Sequence, residues 1–157
     1  MDKRARLLVV DDDTMILESL INILEAEGYE ATAARTGEEA LRELERGVHN
    51  ILLVDVNLPD MTGLDLLSRL KDTSPRMRRL VLTGFPDVSS SVEAVNQKAD
   101  AYLVKPFDPD KLLRLIERNL EEQREELKLT QQRVLDYIRT RVRQLDESRE
   151  MIHRGVT

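Results

Sequence analysis

The residues with chemistry to offer stand where short apolar runs stop. Leu7–Val10 runs into Asp11, Asp12 and Asp13, Ile51–Val54 into Asp55, Leu80–Leu82 into Thr83, and Ala101–Val104 into Lys105. A short, continuous apolar run suits a strand buried on both faces of a parallel sheet. The carboxyl ends of such strands are where open α/β sheets hold their ligands. An ionised carboxylate is costly to bury without a partner, so acids at such a place call for a cation. Asp55, with its apolar lead-in and the turn residues Asn57-Leu58-Pro59 behind it, is the candidate nucleophile, working beside a bound cation. Clustered carboxylates would repel one another without such a cation. Asp11–Asp13 could also be a helix N-cap cluster, but one cap would be enough. Asp13 is the member read as only a cap or as a group behind the ligands.

The intervening sequence supplies the elements that would hold these groups. After the first run, a helix is predicted from about Thr14 to Glu27, with Ile16, Leu20, Ile23 and Leu24 on one face and Gly28 as its stop. Tyr29–Ala34 reads as a strand. Thr36 and Glu39 have the spacing of a capping box, opening a helix with Ala40, Leu41 and Leu44 inward and Gly47 at its end. Leu64, Leu67 and Leu70 mark the next helix, Pro75 breaks the chain, and Asp87 could cap a helix carrying Val88, Val92 and Val95. Pro109 falls in the first turn of a long last helix. Strand followed by helix, repeated along the chain, predicts right-handed crossovers and a wholly parallel, doubly wound sheet. In such a sheet the four polar strand ends lie side by side.

Composition narrows the class. The 157 residues are 41% apolar and 34% charged, with a net charge of −6, which argues against a nucleic-acid or anionic-membrane surface. There is no cysteine, hence no disulfide framework or thiolate metal site. His49 and His153 are too far apart in sequence for a local metal motif, and His49 reads as a loop residue. Lys3, Arg4 and Arg6 precede only four apolar residues before three aspartates, which is neither a signal peptide nor a membrane span. The expected location is the cytoplasm.

Val9-Val10-Asp11-Asp12-Asp13, Val54-Asp55, Leu58-Pro59-Asp60-Met61-Thr62-Gly63, Leu82-Thr83-Gly84 and Tyr102-Leu103-Val104-Lys105-Pro106-Phe107 together resemble a response-regulator receiver domain over roughly Arg6 to Leu120. The resemblance implies a flavodoxin-like, five-stranded parallel sheet in the order 2-1-3-4-5. It implies that Asp55 takes phosphate from the phosphohistidine of a sensor histidine kinase or phosphotransfer protein. By the same resemblance Asp12 would bind Mg²⁺ directly and Asp11 through water, with Asp55 and the Asn57 carbonyl completing the protein ligands. Thr83 would hydrogen-bond the phosphoryl group, Lys105 would pair with it, Tyr102 would be the aromatic switch residue, and the Lys105–Pro106 bond would be cis. Lys98 stands where the family commonly has Gly, at a steric cost for a left-handed helix end. Ala101 replaces a common acid, with no consequence attached. Phe85, where many relatives are polar, is expected to hinder the hydrolytic water and lengthen the phosphorylated lifetime. Loss of phosphate no slower in the wild type than in Phe85→Glu would contradict this.

Residues 1–120 are thus read as the receiver and 121–157 as a helical extension. From Pro109 to about Ile152 no Gly or further Pro intervenes, and the helix would span about 60 Å. Leu113, Ile116, Leu120, Leu127, Val134, Ile138, Val142, Leu145 and Ile152 form a heptad-like seam with a stutter near Val134 and with Gln123 and Thr130 as polar interruptions. From Asp108 onward there are 11 acidic and 11 basic residues, so the negative charge belongs to the receiver part. The favoured expectation is a coiled-coil homodimer. The rivals are a helix that folds back or binds another protein's helix, and a receiver fragment whose output domain is missing. With no helix-turn-helix or nucleotide loop, no DNA contact is expected of this chain, and Arg133, Arg139, Arg141 and Arg143 read as a solvated face. The function implied is a phosphorylation-dependent switch that catalyses only its own phosphorylation and slow dephosphorylation. The rival class is an aspartyl-nucleophile phosphatase, which would have an acid at position 57. A phosphate sink that drains a kinase is a third reading.

Overall fold

The computed structural model describes residues 5–70, 73–74, 76–84 and 99–155. The elements are β1 (Arg6–Val10), α1 (Thr14–Ala26), β2 (Glu30–Ala34), α2 (Gly37–Arg46), β3 (Ile51–Asp55), α3 (Gly63–Leu70), β4 (Arg78–Thr83), β5 (Ala101–Val104) and α4 (Pro109–His153). The strands form one sheet in the order β2-β1-β3-β4-β5, every pairing parallel. This is the flavodoxin-like order expected. The helix predicted from Asp87, the break at Pro75, and Phe85 and Lys98 lie outside the described residues.

Alternation along the strands explains the layers. Leu7, Val9, Ile51, Leu53, Leu80, Leu82 and Leu103 face one side of the sheet, against Leu17, Leu20 and Leu24 of α1 and Leu112, Ile116 and Leu120 of α4. Leu8, Val10, Leu52, Val54 and Val81 face the other, against Ala40 of α2 and Leu64, Leu66, Leu67 and Leu70 of α3. Both faces are covered, so the strands are apolar throughout rather than half polar. Burying each such side chain contributes roughly 1.5–3 kcal/mol. Three core residues of the helices, Leu17, Leu66 and Leu112, were not in the predicted stripes. The face of α1 that enters the core is Leu17–Leu20–Leu24, with Ile16 and Ile23 at its half-buried margins.

Local chemistry sets the element ends. Asp13 is the N-cap of α1, its carboxylate accepting from the N–H groups of Met15 and Ile16, the first of the two roles read for it. Gly28, at φ 91°, supplies the left-handed turn after α1. Thr36 caps α2 by accepting from Glu39 N, while Glu39 reaches back to Arg35 N, one residue before the position of an ordinary capping box. β4 begins two residues before its apolar run and takes in Arg78 and Arg79.

The chain divides into two compact units, residues 1–120 and 121–157, with α4 contributing to both. Within the second unit Leu127, Val134, Leu135, Ile138, Val142, Leu145 and Ile152 are all exposed. Among the described residues no helix is long and apolar enough to cross a membrane.

Candidate functional site

Parallel pairing brings the carboxyl ends of β1, β3, β4 and β5 to one edge. Val10 is level with Val54, Asp55 with Leu82, and Thr83 with Val104. The residues just past these ends extend the ladder: Asp11 N donates to Ala34 O, Val56 N to Leu82 O, and Lys105 N to Thr83 O. The Lys105–Pro106 peptide is cis.

Asp11, Asp12 and Asp55 come together there, with carboxylate oxygens that lie within 4.8 Å of one another. Asp11 is buried, Asp55 half-buried and Asp12 exposed. Lys105 reaches in from the end of β5. Its Nζ donates to Asp11 Oδ2 at 2.6 Å and lies 3.5 Å from Asp55 Oδ2. Asp11 Oδ1 also accepts from Asp13 N at 3.0 Å, so the buried acid has a partner on each oxygen. Burial raises the Asp55 carboxyl above its ordinary pKa; Lys105 opposes this and Asp11 reinforces it. An all-oxygen set of acids with one exposed member suits a hard divalent cation that keeps waters. The donor set therefore fits Mg²⁺.

The loop after Asp55 is tightly built. Gly63 N donates to Val56 O, Asn57 bridges Thr62, and Asn57 N lies 3.4 Å from Asp55 Oδ1. A Cβ at position 63 would collide with the Asp55 carbonyl, so this close return of the chain needs glycine. Thr83 is buried at the end of β4. Tyr102 is half-buried on β5, packed against the α2/α3 side of the core, and its hydroxyl meets no partner among the described residues.

Sequence reasoning overlooked three residues. Asp60, on the same loop, accepts from Gly37 N at 2.9 Å and Glu38 N at 3.0 Å, at the start of α2. Arg79 is 4% exposed, and its guanidinium donates to the carbonyls of Leu70, Ser74 and Met77. His49 is a loop residue as read, yet it is 4% exposed, and neither ring nitrogen meets a partner of hydrogen-bond geometry among the described residues. The signal for Asp60 was its place in the loop motif; nothing local marks the other two.

A doubly wound parallel sheet thus carries three carboxylates and a lysine together at its carboxyl edge. The profile of the response regulator receiver domain matches residues 7–117, and the chain belongs to that family. It is thus a receiver domain of two-component signalling with a helical extension. It is similar to the response regulator protein FleR of Pseudomonas aeruginosa, 37% identical over 115 residues, which cover 73% of this chain and 24% of that one. The DNA-binding transcriptional regulator NtrC of Proteus hauseri is 36% identical over 124 residues, covering 79% and 26% of the two chains. The chain spans about a quarter of the length of these curated relatives. Among solved structures, the CheY-like receiver domain protein of Methanospirillum hungatei JF-1 superposes with a TM-score of 0.77 at 43% identity, covering 79% of this chain and 99% of that one. The beryllofluoride-activated NtrC4 receiver domain, solved as a dimer, gives 0.72 at 36% identity, covering 75% and 98%.

Proposed function

We propose that Asp55 accepts a phosphoryl group from the phosphohistidine of a sensor histidine kinase or phosphotransfer protein and that the resulting acyl phosphate switches the chain's protein contacts. One observation carries this reading: a lysine ammonium stands between a buried and a half-buried aspartate at the strand ends, poised to offset charge arriving at Asp55. An Asp55 oxygen attacks phosphorus, the phosphorus–nitrogen bond breaks, and the imidazole leaves with its electron pair and takes up a proton. Asp11, Asp12, Asp55 and the Asn57 carbonyl would hold Mg²⁺. Bound there, the ion supplies charge neutralisation to the transferring group. Thr83 would donate a hydrogen bond to the phosphoryl oxygens and Lys105 would pair with them. Tyr102, half-buried with no partner for its hydroxyl among the described residues, would follow Thr83 between two arrangements of a pre-existing equilibrium. A phosphatase reading is disfavoured by Asn57 and by the response regulators among the relatives.

Residues 1–120 would act as the receiver and 121–157 as an assembly helix in the cytoplasm, with no DNA contact of its own. The apolar row Leu127, Val134, Ile138, Val142, Leu145 and Ile152 recurs at three-, four- and seven-residue spacings and is exposed within its unit. A second copy would cover it as a coiled coil. The test is intact mass after incubation with Mg²⁺ and acetyl phosphate, with sedimentation on the same sample. One phosphoryl group per chain, absent from Asp55→Asn, is expected, with a dimer whose stability changes on phosphorylation. No phosphoryl group would overturn the reading. A phosphorylated monomer would keep the receiver and remove the dimer.

A further inference from the structure

The loop that leaves Asp55 is moored to a helix distant in sequence. The first three N–H groups of α2 are shared between two acceptors: Thr36 takes Glu39, whereas Asp60 takes Gly37 and Glu38 from 23 and 22 residues away. These donors have no partner within their own helix. The neighbouring contact reinforces the mooring. The Met61 side chain fills the space where a Cβ at position 37 would stand, so the loop tip packs directly on the start of α2. At the other end the same loop is closed by the Asn57–Thr62 bridge and by Gly63 on Val56. The segment 57–62 is therefore held at its base beside Asp55 and at its tip on α2. The two N–H donors, Gly37 first, hold the Asp60 carboxyl below the usual carboxylate range, as expected for an anion at a helix start.

We infer that Asp60 is a positioning residue for the cation site, fixing the Asn57 carbonyl beside the acids by tying its loop to the N-terminus of α2. This rests on the proposed role of Asn57 as a ligand. Because coupling is reciprocal, cation binding must in turn quiet the start of α2.

The test is amide hydrogen exchange on the full chain across a Mg²⁺ titration, alongside the rate of phosphorylation by acetyl phosphate at each Mg²⁺ concentration. In the wild type Mg²⁺ slows exchange at the start of α2. In Asp60→Ala that protection is lost and the half-saturating Mg²⁺ concentration rises about tenfold, the scale on which groups orienting metal ligands act. Asp60→Asn, which keeps one acceptor, falls between. Thr36→Ala separates positioning from general weakening of the helix: it lowers the melting temperature and leaves half-saturation where it was. Half-saturation unchanged in both Asp60 variants, or shifted equally by Thr36→Ala, would overturn the inference. A wild type that binds Mg²⁺ with protection of α2 but takes no phosphate would overturn the proposed function and leave the mooring intact.

Discussion

Lys105 leans toward Asp11, at 2.6 Å, and stands 3.5 Å from Asp55, the proposed acceptor. The resting ammonium thus neutralises the most buried acid of the site, and a cation arriving there must share that acid with it. Lys105→Met should therefore bind Mg²⁺ more tightly than the wild type, since a competing positive charge is gone. It should also take phosphate about 100-fold more slowly, the scale of losing one group that stabilises developing charge. Mg²⁺ titration by calorimetry and phosphorylation followed by mass check both halves. Weaker Mg²⁺ binding in the variant would contradict the competition.

Arg79 should be among the costliest residues to remove. Its guanidinium binds three carbonyls at and beyond the C-terminal end of α3, and its backbone N–H meets Asp100, which also pairs with Arg78. Burial lowers its pKa and Asp100 opposes the change. Arg79→Ala leaves buried acceptors unmet and should cost about 3 kcal/mol. Urea unfolding measures it; a loss under about 1 kcal/mol, near that of a surface substitution, would show the carbonyls to be satisfied by water.

His49 makes stability depend on pH in a definite direction. Burial, then the nearby Arg6 charge, lower its pKa below the ordinary 6.5 in the folded chain. The unfolded chain then binds more protons below that value. Its contribution is complete above pH 6.5 and is lost as pH falls through and below it, with a slope of at most about 1.4 kcal/mol per pH unit for one proton. Thermal melts between mildly acidic and neutral pH should show this slope in the wild type and a shallower one in His49→Phe. Equal slopes would remove His49 from the account.

The extension offers a test that leaves the receiver untouched. Ile138→Asp with Leu145→Asp places two acids in the exposed apolar row. Burying unpaired charge in a helix pair is prohibitive, so sedimentation should report a monomer while the phosphorylation rate stays within about twofold, as for changes that touch none of the receiver's site residues. A dimer that survives both substitutions would place the contact elsewhere.

Much of this was legible from residue order. Each strand that ends on Asp11, Asp55, Thr83 or Lys105 announced itself by an apolar run, because a strand covered on both faces has no polar positions to spare. Thr36 and Asp13 could be read as caps because capping acts within three residues. The convergence of the acids with Lys105 followed from topology, which places all carboxyl ends of a parallel sheet on one edge.

The partner that each polar group chose was not legible. Lys105 and Asp11 are 94 residues apart, and only the folded distances show the lysine nearer Asp11 than Asp55. Asp60 was read only as one member of the loop motif, and Arg79 lay outside the apolar run that marked its strand. One became a cap for a helix 23 residues earlier, and the other a buried brace for the end of α3. His49, with loop residues around it, sank to 4% exposure. Apolar periodicity reports which face of an element is buried, since that is a local property of helix or strand. Hydrogen-bond partnership depends on which distant chain ends at the same place, and that is settled only when the layers have packed.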